Sequence, residues 1–432
     1  MQLWKCLILT SIILLCSYLL NAQIITTIAG NGTPVSTGDG GPATAAGIAY
    51  PAACNFDTIG NFYFGENLAG PKIRMINTAG VIITVAGNGT SGFSGDNGPA
   101  TAAKIAYPIG IADAIGNLFV VDYYNNRVRK VDVGTGIIHT IAGNGIATST
   151  GNGGPATAAT MVPIFVCVDG NGNVFISDQG PVGGIGSIRK INASTGIISF
   201  VAGTTAQGMC FDASGKLYLG GGSRVFKVDT ATGAIDTIAG TGLTGPYNGD
   251  EIPATTANFE VFDIARDANG NIYIADEGND RIRMIDALGI IHTVTGTGIA
   301  GYSGDNGPAS VAQIYNPEGV AIDSCGNLFI ADDANKRIRK VTYPHCNYLS
   351  VPKENTTIVK IYPNPANDVL HIDNIKTQAN YSLLSIIGTV MQQGNLIEGS
   401  NSIPIQSLPA GMYMVEVTNK EGEKITTKVI KQ

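Results

Sequence analysis

Short runs of β-branched and aromatic residues recur along most of this chain, each bounded by polar turns. Between 109 and 142 they are Ile109–Ala112, Asn117–Asp122, Arg127–Val131 and Gly136–Ala142, separated by Gly-Asn and Thr-Gly turns. Runs of this length and composition predict strands joined in hairpins. The set then repeats. An A-G or T-G opens each copy at Ala29, Ala86, Ala142, Ala202, Ala239 and Thr295, at intervals of 57, 56, 60, 37 and 56 residues. There are six copies, the fourth shortened. Four antiparallel strands per unit is the pattern of a propeller blade, which buries its faces only by stacking on neighbours. The fold class expected is therefore all-β, a six-bladed β-propeller.

The strand count also predicts how the ring closes. The sixth copy supplies three strands (Val320–Ile322, Leu328–Asp332, Arg337–Val341), but Tyr343-Pro344-His345 stands where a fourth belongs. Ile24–Ala29 has the sequence of that missing strand, so the N-terminal strand should close blade six and leave no open edge. The first hairpin turn of most copies reads D-x-x-G-N, as at Asp113, Asp267 and Asp323. Turn chemistry accounts for these aspartates: Asp bonds its own backbone two residues on, and Gly supplies positive φ.

Both ends of the chain break the pattern. Lys5, the apolar run Leu7–Leu20 and Leu20-Asn21-Ala22 read as a signal peptide over 1–22, cleaved before Gln23. The propeller is expected over 23–343 and a polar linker over 344–357. A second all-β domain follows over 358–432, with strands Val369–Ile372, Tyr381–Ile386, Gly411–Val417 and Lys424–Ile430. No apolar run of the mature chain is long enough for a transmembrane helix.

Composition narrows the chemistry. Charged residues make up 14% of the chain and the net charge is −7 with no basic block, which argues against nucleic acid as a partner. Five cysteines remain after signal removal, an odd number that leaves at least one unpaired within the chain. Cys325 and Cys346 fall at the same end of blade six and form a candidate disulfide. Cys167 and Cys210, two residues before their turn aspartates, read as core thiols. No C-x-x-C spacing supports zinc.

Five long connections carry G-D-x-G-P-A-T-x-A or a relative, starting at Gly38, Gly95, Gly151, Gly249 and Gly304. Calcium needs six to eight oxygens, and each loop offers one carboxylate or at most two, so no cofactor is expected and calcium is the weaker alternative. A turn leading into one helical turn with Pro at its first position fits better. The A-D-x-x-N-x-R-I-R pattern places Asp122, Asp276 and Asp332 near Arg127, Arg281 and Arg337. Four histidines are present; His139 and His292 share one position on an outer strand and cannot converge on a channel metal. No H-E-x-x-H, P-loop or nucleophile elbow occurs.

Copy four lacks the long loop. The loop-bearing face should therefore carry five loops and a notch between blades three and four, at Thr204 and Gln207. With Tyr123, Tyr124 and Tyr302 these residues form the candidate binding set, for an extracellular ligand or protein not identified by the sequence. No catalytic or metal-binding residue is assigned. A binding or interaction scaffold is the reading adopted; the alternative is a propeller hydrolase or lyase, lactonase-like or amidating-lyase-like, using a channel metal.

Two family likenesses complete the reading. G-V-A-I-D-S-C-G-N-L-F-I-A-D-D-A-N-K-R-I-R-K-V at 319–341 resembles an NHL repeat, as do 110–131 and 267–285. Copy one departs at Gly65-Glu66-Asn67, where the usual Asp is absent, and copy four is reduced to G-K-L-Y-L-G-G-G-S-R-V-F-K-V. NHL repeats imply a propeller. The C-terminal domain resembles the type A sorting domain of the type IX secretion system. The likeness rests on I-Y-P-N-P-A-N-D-V-L at 361–370 (Tyr362, Pro363, Asn364, Pro365), I-I-G-T-V at 386–390 (Gly388), L-P-A-G-M-Y-M-V-E-V at 408–417 (Gly411, Tyr413) and K-V-I-K at 428–431 (Lys428). This resemblance implies a small β-sandwich, the type IX machinery as partner, and a mature protein released from the cell or held at its surface.

Overall fold

The computed structural model describes residues 23–343 and 360–431, apart from 115, 182–183, 185, 364, 376–377, 386–389, 410 and 420–423. The segments expected as signal peptide and linker, with His345 and Cys346, lie outside the described residues. The chain separates into two compact units, Met1–Cys346 and Asn347–Gln432.

The first unit is a six-bladed propeller. Blades one to five comprise 51–86, 108–142, 163–202, 208–239 and 261–295, each with four antiparallel strands in sequence order. Blade six takes three strands from 317–342, and Ile24–Ala29 pairs antiparallel with Arg337–Thr342 as its fourth. The closure expected from the strand count is present. Ile25 and Ala29 are fully buried there. First strands of neighbouring blades pack on one another around the ring and so line the central channel. The core lies between blades, where apolar residues of adjacent sheets interdigitate. The first strand of blade two, Pro108–Ala114, runs longer than the expected Ile109–Ala112.

Turn chemistry operates as anticipated. Oδ1 of Asp57, Asp169, Asp267 and Asp323 accepts the N–H groups two and four residues on, while Oδ2 accepts the Asn side chain four residues on. The side chain of Asp113 lies outside the described residues.

The long loops differ from expectation in one detail. Each contains a single 3-10 turn, Ala43–Ala45 in the first, and the Pro precedes it in extended conformation instead of opening it. Proline fixes φ without needing helical ψ, so it serves equally as the residue before a helical turn.

The ion pairs correct a second expectation. Asp122, Asp276 and Asp332 lie opposite Arg127, Arg281 and Arg337 in the strand register. Their carboxylates turn instead to Arg129, Arg283 and Arg339, at 3.3, 3.8 and 3.3 Å. These second arginines are fully buried and need a counter-ion. The first arginine of each pair satisfies itself on carbonyls, Arg127 on those of Asn125 and Asn144.

Each buried arginine also reaches the long loop of its own copy. Arg129 forms an ion pair with Asp96 at 2.7 Å and donates to the Ser94 carbonyl; Arg74, Arg283 and Arg339 bond Asp39, Asp250 and Asp305; Arg189 bonds Asn152. The G-D loop carboxylates are thus committed to guanidinium. Copy one obeys the same rule, with Glu66 replacing Asp as partner of Arg74. Copy four loses all three parts together. Gly221 occupies the acid's register position, Phe226 the arginine's, and the long loop is gone.

The second unit has a three-stranded sheet (Lys360–Tyr362, Val369–Ile375, Gly399–Pro404) and a four-stranded one (Ala379–Ser385, Val390–Leu396, Gly411–Asn419, Lys424–Lys431). They share a core that includes Leu370, Ile372, Leu383 and Val415. Lys360–Tyr362, Val390–Leu396 and Gly399–Pro404 were not anticipated. Val390–Leu396 (V-M-Q-Q-G-N-L) and Gly399–Pro404 (G-S-N-S-I-P) are mostly polar and exposed, and carry little strand signal.

Two stability predictions follow from the closure and the buried pairs. Deleting Gln23–Ala29 should lower the melting temperature of the mature protein by roughly 10 °C or more, several kcal/mol at a few degrees each; calorimetry checks this. Arg129→Leu should cost about 3–5 kcal/mol in urea unfolding, because Asp122 is left buried without its counter-charge. Arg127→Leu, at a half-exposed site satisfied by carbonyls, should cost less.

Candidate functional site

In five blades the second strand ends at the residue that pairs the buried arginine, and in blade four it ends at Gly221 in the same register position. The next residue therefore occupies an equivalent place in every copy, beside the channel on the loop-bearing face. Those residues are Asn67, Tyr123, Gln179, Gly222, Glu277 and Asp333. The backbone repeats but the side chains do not. Inside this ring, the second residue of the first strand differs as well: Ile109, Ile164 and Phe262 are apolar, whereas blade six presents Glu318.

One side of the mouth is aromatic. Tyr107, Tyr123 and Tyr124 form a triangle with ring centroids 5.0–5.9 Å apart. The Tyr123 hydroxyl donates to Gln179 at 3.4 Å. These rings, Gln179, Thr205 and Gln207 border a cavity of about 380 Å3 that reaches Gly221 and Gly222 of blade four. Shortening of copy four opens that side, since Gly221 and Gly222 carry no side chain into it.

The opposite side is acidic. Glu318 is 9% exposed, Asp333 6% and Asn67 4%. Asn67 and Asn316 donate amide N–H groups to the two Glu318 oxygens, both at 3.4 Å. Oδ1 of Asn67 and Oδ1 of Asp333 have no hydrogen-bond partner among the described residues. Burial, reinforced by the Asp333 and Glu277 carboxylates, pushes Glu318 up to about 8. Burial also raises Asp333 to about 6, against the pull of Lys336. Tyr107 joins the two sides: burial first, then the Glu318 carboxylate, raise its phenol to about 12, so it stays protonated.

Of the residues singled out in the sequence, Tyr123, Tyr124 and Gln207 come together at this cavity. Thr204 does not line it; its neighbour Thr205 does. Tyr302 is elsewhere, stacked 3.8 Å over Arg337 and donating to Asp305 at 2.7 Å. Phe93 and Tyr247 hold the same relation to Arg127 and Arg281. The sequence reading missed Tyr107, Asn67, Glu318 and Asp333. For Asn67 and Asp333 the signal was available, as the position after the paired acid that varies among otherwise similar copies.

Deeper in the channel, Cys54, Cys167 and Cys210 line a narrow cavity of about 150 Å3 with Asp263. Cys167 is buried as a core thiol, whereas Cys210 is only partly so. Burial raises all three thiols, Cys210 to about 12, so they are neutral rather than nucleophilic. His139 and His292 sit on fourth strands, bonded to Asn97 and to Glu251 and Asp286. Cys325 is exposed on the blade-six turn and its candidate partner lies outside the described residues. In the second unit Tyr362 bonds Asp373, Pro365 is exposed, Gly411 opens a strand, and the buried Tyr413 donates to the Pro409 carbonyl at 2.8 Å. Asn364, Gly388 and the Lys428 side chain lie outside the described residues.

Residues 360–432 match the secretion system C-terminal sorting domain, which directs the protein through the type IX system to the cell surface or the extracellular space. No helix among the described residues is long and apolar enough to cross a membrane. The propeller is similar to a structural genomics protein of unknown function from Bacteroides thetaiotaomicron (18% identity, TM-score 0.57, covering 74% of this chain and 76% of that one). It is also similar to an auxiliary nutrient binding protein from Bacteroides ovatus (16% identity, TM-score 0.55, 74% and 77%). At these identities the likeness shows the fold. Protein Suppressor of Quenching 1, chloroplastic, of Arabidopsis thaliana is 25% identical over 329 residues, and the chain spans 30% of that protein's length.

Glu318 sets a pH signature. Its folded-state value lies above the ordinary carboxylate range, so its contribution to stability is fully present below about 4.5 and is lost as pH rises through about 8. The groups facing it are Asp333, Glu277, Lys336, Tyr107, Asn67 and Asn316. Relative to Glu318→Gln, the native protein should therefore lose a few kcal/mol between pH 5 and pH 9, read by urea unfolding. Parallel pH dependence of the two proteins would contradict the assignment.

Proposed function

We propose that this exported propeller is a binding protein, and that its ligand enters the channel mouth on the loop-bearing face. The NHL-type repeat supplies a rigid ring, and the mouth is the place where the copies stop resembling one another. The observation that carries the reading is a tyrosine-lined cavity on one side of the mouth and, on the other, buried acceptors that lack hydrogen-bond partners among the described residues. Pockets for small organic ligands have this size and this mix of apolar wall and few polar groups. Buried polar atoms without partners cost free energy unless a ligand or ordered water satisfies them. The likeness to a nutrient binding protein supports a role in taking up or holding extracellular compounds. Among the described residues the channel thiols are neutral and His139 and His292 sit on outer strands, so neither kind of group joins Glu318 and Asp333 at the mouth, and the scaffold reading is placed ahead of the hydrolase or lyase alternative.

The test is a thermal-shift survey of the mature protein against neutral sugars, amino acids, nucleosides, polyamines and short peptides. At least one class should raise the melting temperature by about 2 °C or more, as ligand well above its Kd stabilises by a few kcal/mol. The shift should disappear in Gln207→Ala and in Tyr124→Ala, an exposed ring whose loss spares the core. A full G-D-N-G-P-A loop in place of Thr204–Gln207 should close the notch and abolish it too. Shifts that persist in all three variants would place binding elsewhere.

A further inference from the structure

Tyr50 and Tyr107 occupy the same position in successive copies. Each immediately precedes the proline that opens its blade's first strand, and each has positive φ, 53° and 58°. A bulky residue rarely adopts that conformation unless its surroundings hold it there. The two rings differ in what covers them. Lys336 of blade six places its Nζ 3.7 Å from the centroid of Tyr50, an ammonium over the face of an aromatic ring. In the next copy the chain connecting the second and third strands reads Leu68-Ala69-Gly70-Pro71 and provides no lysine at the corresponding place. Tyr107 instead meets Tyr123 and Tyr124.

The charge around the mouth is unbalanced. Glu318, Asp333 and Glu277 interact as neighbouring carboxylates, and Lys336 is a cation that pulls on both Glu318 and Asp333. Lys336 spends its hydrogen bonds on the carbonyls of Asp333 and Ala334, at 2.9 and 3.2 Å, and among the described residues no ion pair joins it to a carboxylate. Independently of the charges, Asn67 and Asp333 each keep a buried Oδ1 without a hydrogen-bond partner among the described residues. A cluster of acids alone could be a solvated patch. Buried acids with unsatisfied oxygens on one side of the mouth, and across it Tyr107, near enough to feel the Glu318 charge, form a complement to a donor-bearing cation.

Resting on the binding role above, we infer that the mouth takes an organic ammonium group, seated over Tyr107 as Lys336 is seated over Tyr50 and facing Glu318 and Asp333. The class is a primary amine on an apolar stem: the amine supplies donors to the orphaned oxygens, and the stem lies along the cavity bordered by Tyr123 and Tyr124. A divalent metal ion would satisfy the carboxylates but has no use for the aromatic wall.

The experiment is titration calorimetry of the full mature protein with cadaverine at pH 9 and constant ionic strength, with calcium chloride and neutral 1,5-pentanediol as parallel probes. Saturable cadaverine binding is expected, with pentanediol bound at least tenfold more weakly. Glu318→Gln should weaken cadaverine at least tenfold while unfolding no earlier than the native protein, and Tyr107→Leu should weaken it as well. If Tyr107→Leu fails to fold, Glu318→Gln alone decides. Cadaverine affinity unchanged in Glu318→Gln would overturn the inference. So would calcium binding at the same residues in preference to the amine. No amine binding, with a neutral compound still shifting the protein in a Gln207-dependent way, would refute the ammonium and leave the binding role standing. No binding by either route would sink both.

Discussion

The buried arginine on the third strand of five blades is the constraint on which the loop face depends. A guanidinium at zero exposure is expensive to bury without a counter-charge and acceptors. Nε of Arg74, Arg129 and Arg283 nonetheless has no hydrogen-bond partner among the described residues. Here the acceptors come from two places: an acid at the end of the second strand, and the carboxylate, amide or carbonyls of the long loop. One side chain thereby fixes strand, hairpin end and loop together. The loops are long and contain many glycines, yet their trajectories are held from beneath. Phe93, Tyr247 and Tyr302 close the arrangement from above by stacking on the arginines.

Copy four shows that these parts form one unit. With no loop to provide carbonyls, a buried arginine would be left with unmet donors, and a buried acid would lose its counter-charge. Both are replaced, by Phe226 and Gly221, and the site becomes apolar. The notch is thus a consequence of removing a whole electrostatic unit, and its glycines leave the channel mouth open on that side. Elsewhere the residue after the paired acid has its backbone position guaranteed by the pair behind it. That freedom lets each copy present a different side chain to the mouth at little cost to the fold.

Much of the architecture was legible in the sequence because it follows from local rules. The period of the repeat gave the blade count. The missing strand after Val341, and its counterpart at Ile24–Ala29, gave the closure. D-x-x-G-N turns declared themselves through Asp and Gly. The partner of each acid was not legible, since Arg127 and Arg129 lie on the same side of one strand and burial alone decides between them. The mouth was half legible: Tyr123 and Tyr124 stood out as available aromatics and Gln207 through the shortened loop, while Tyr302 is used for stacking. Glu318 and Tyr107 escaped notice because each sits at a blade entrance beside proline, where a strand reading sees only a boundary. Their meaning comes from neighbours up to 251 residues away, as in the Asn67–Glu318 contact. In the C-terminal unit, the polar strands 390–396 and 399–404 carried too little alternation to be seen.

The most direct measurement is a crystal structure of the mature protein soaked with cadaverine at pH 9. The account predicts difference density for one amine end over Tyr107, within ion-pair distance of Glu318 or Asp333, with its stem running toward Tyr124. A mouth holding solvent alone, or an amine seated on another part of the propeller, would contradict it.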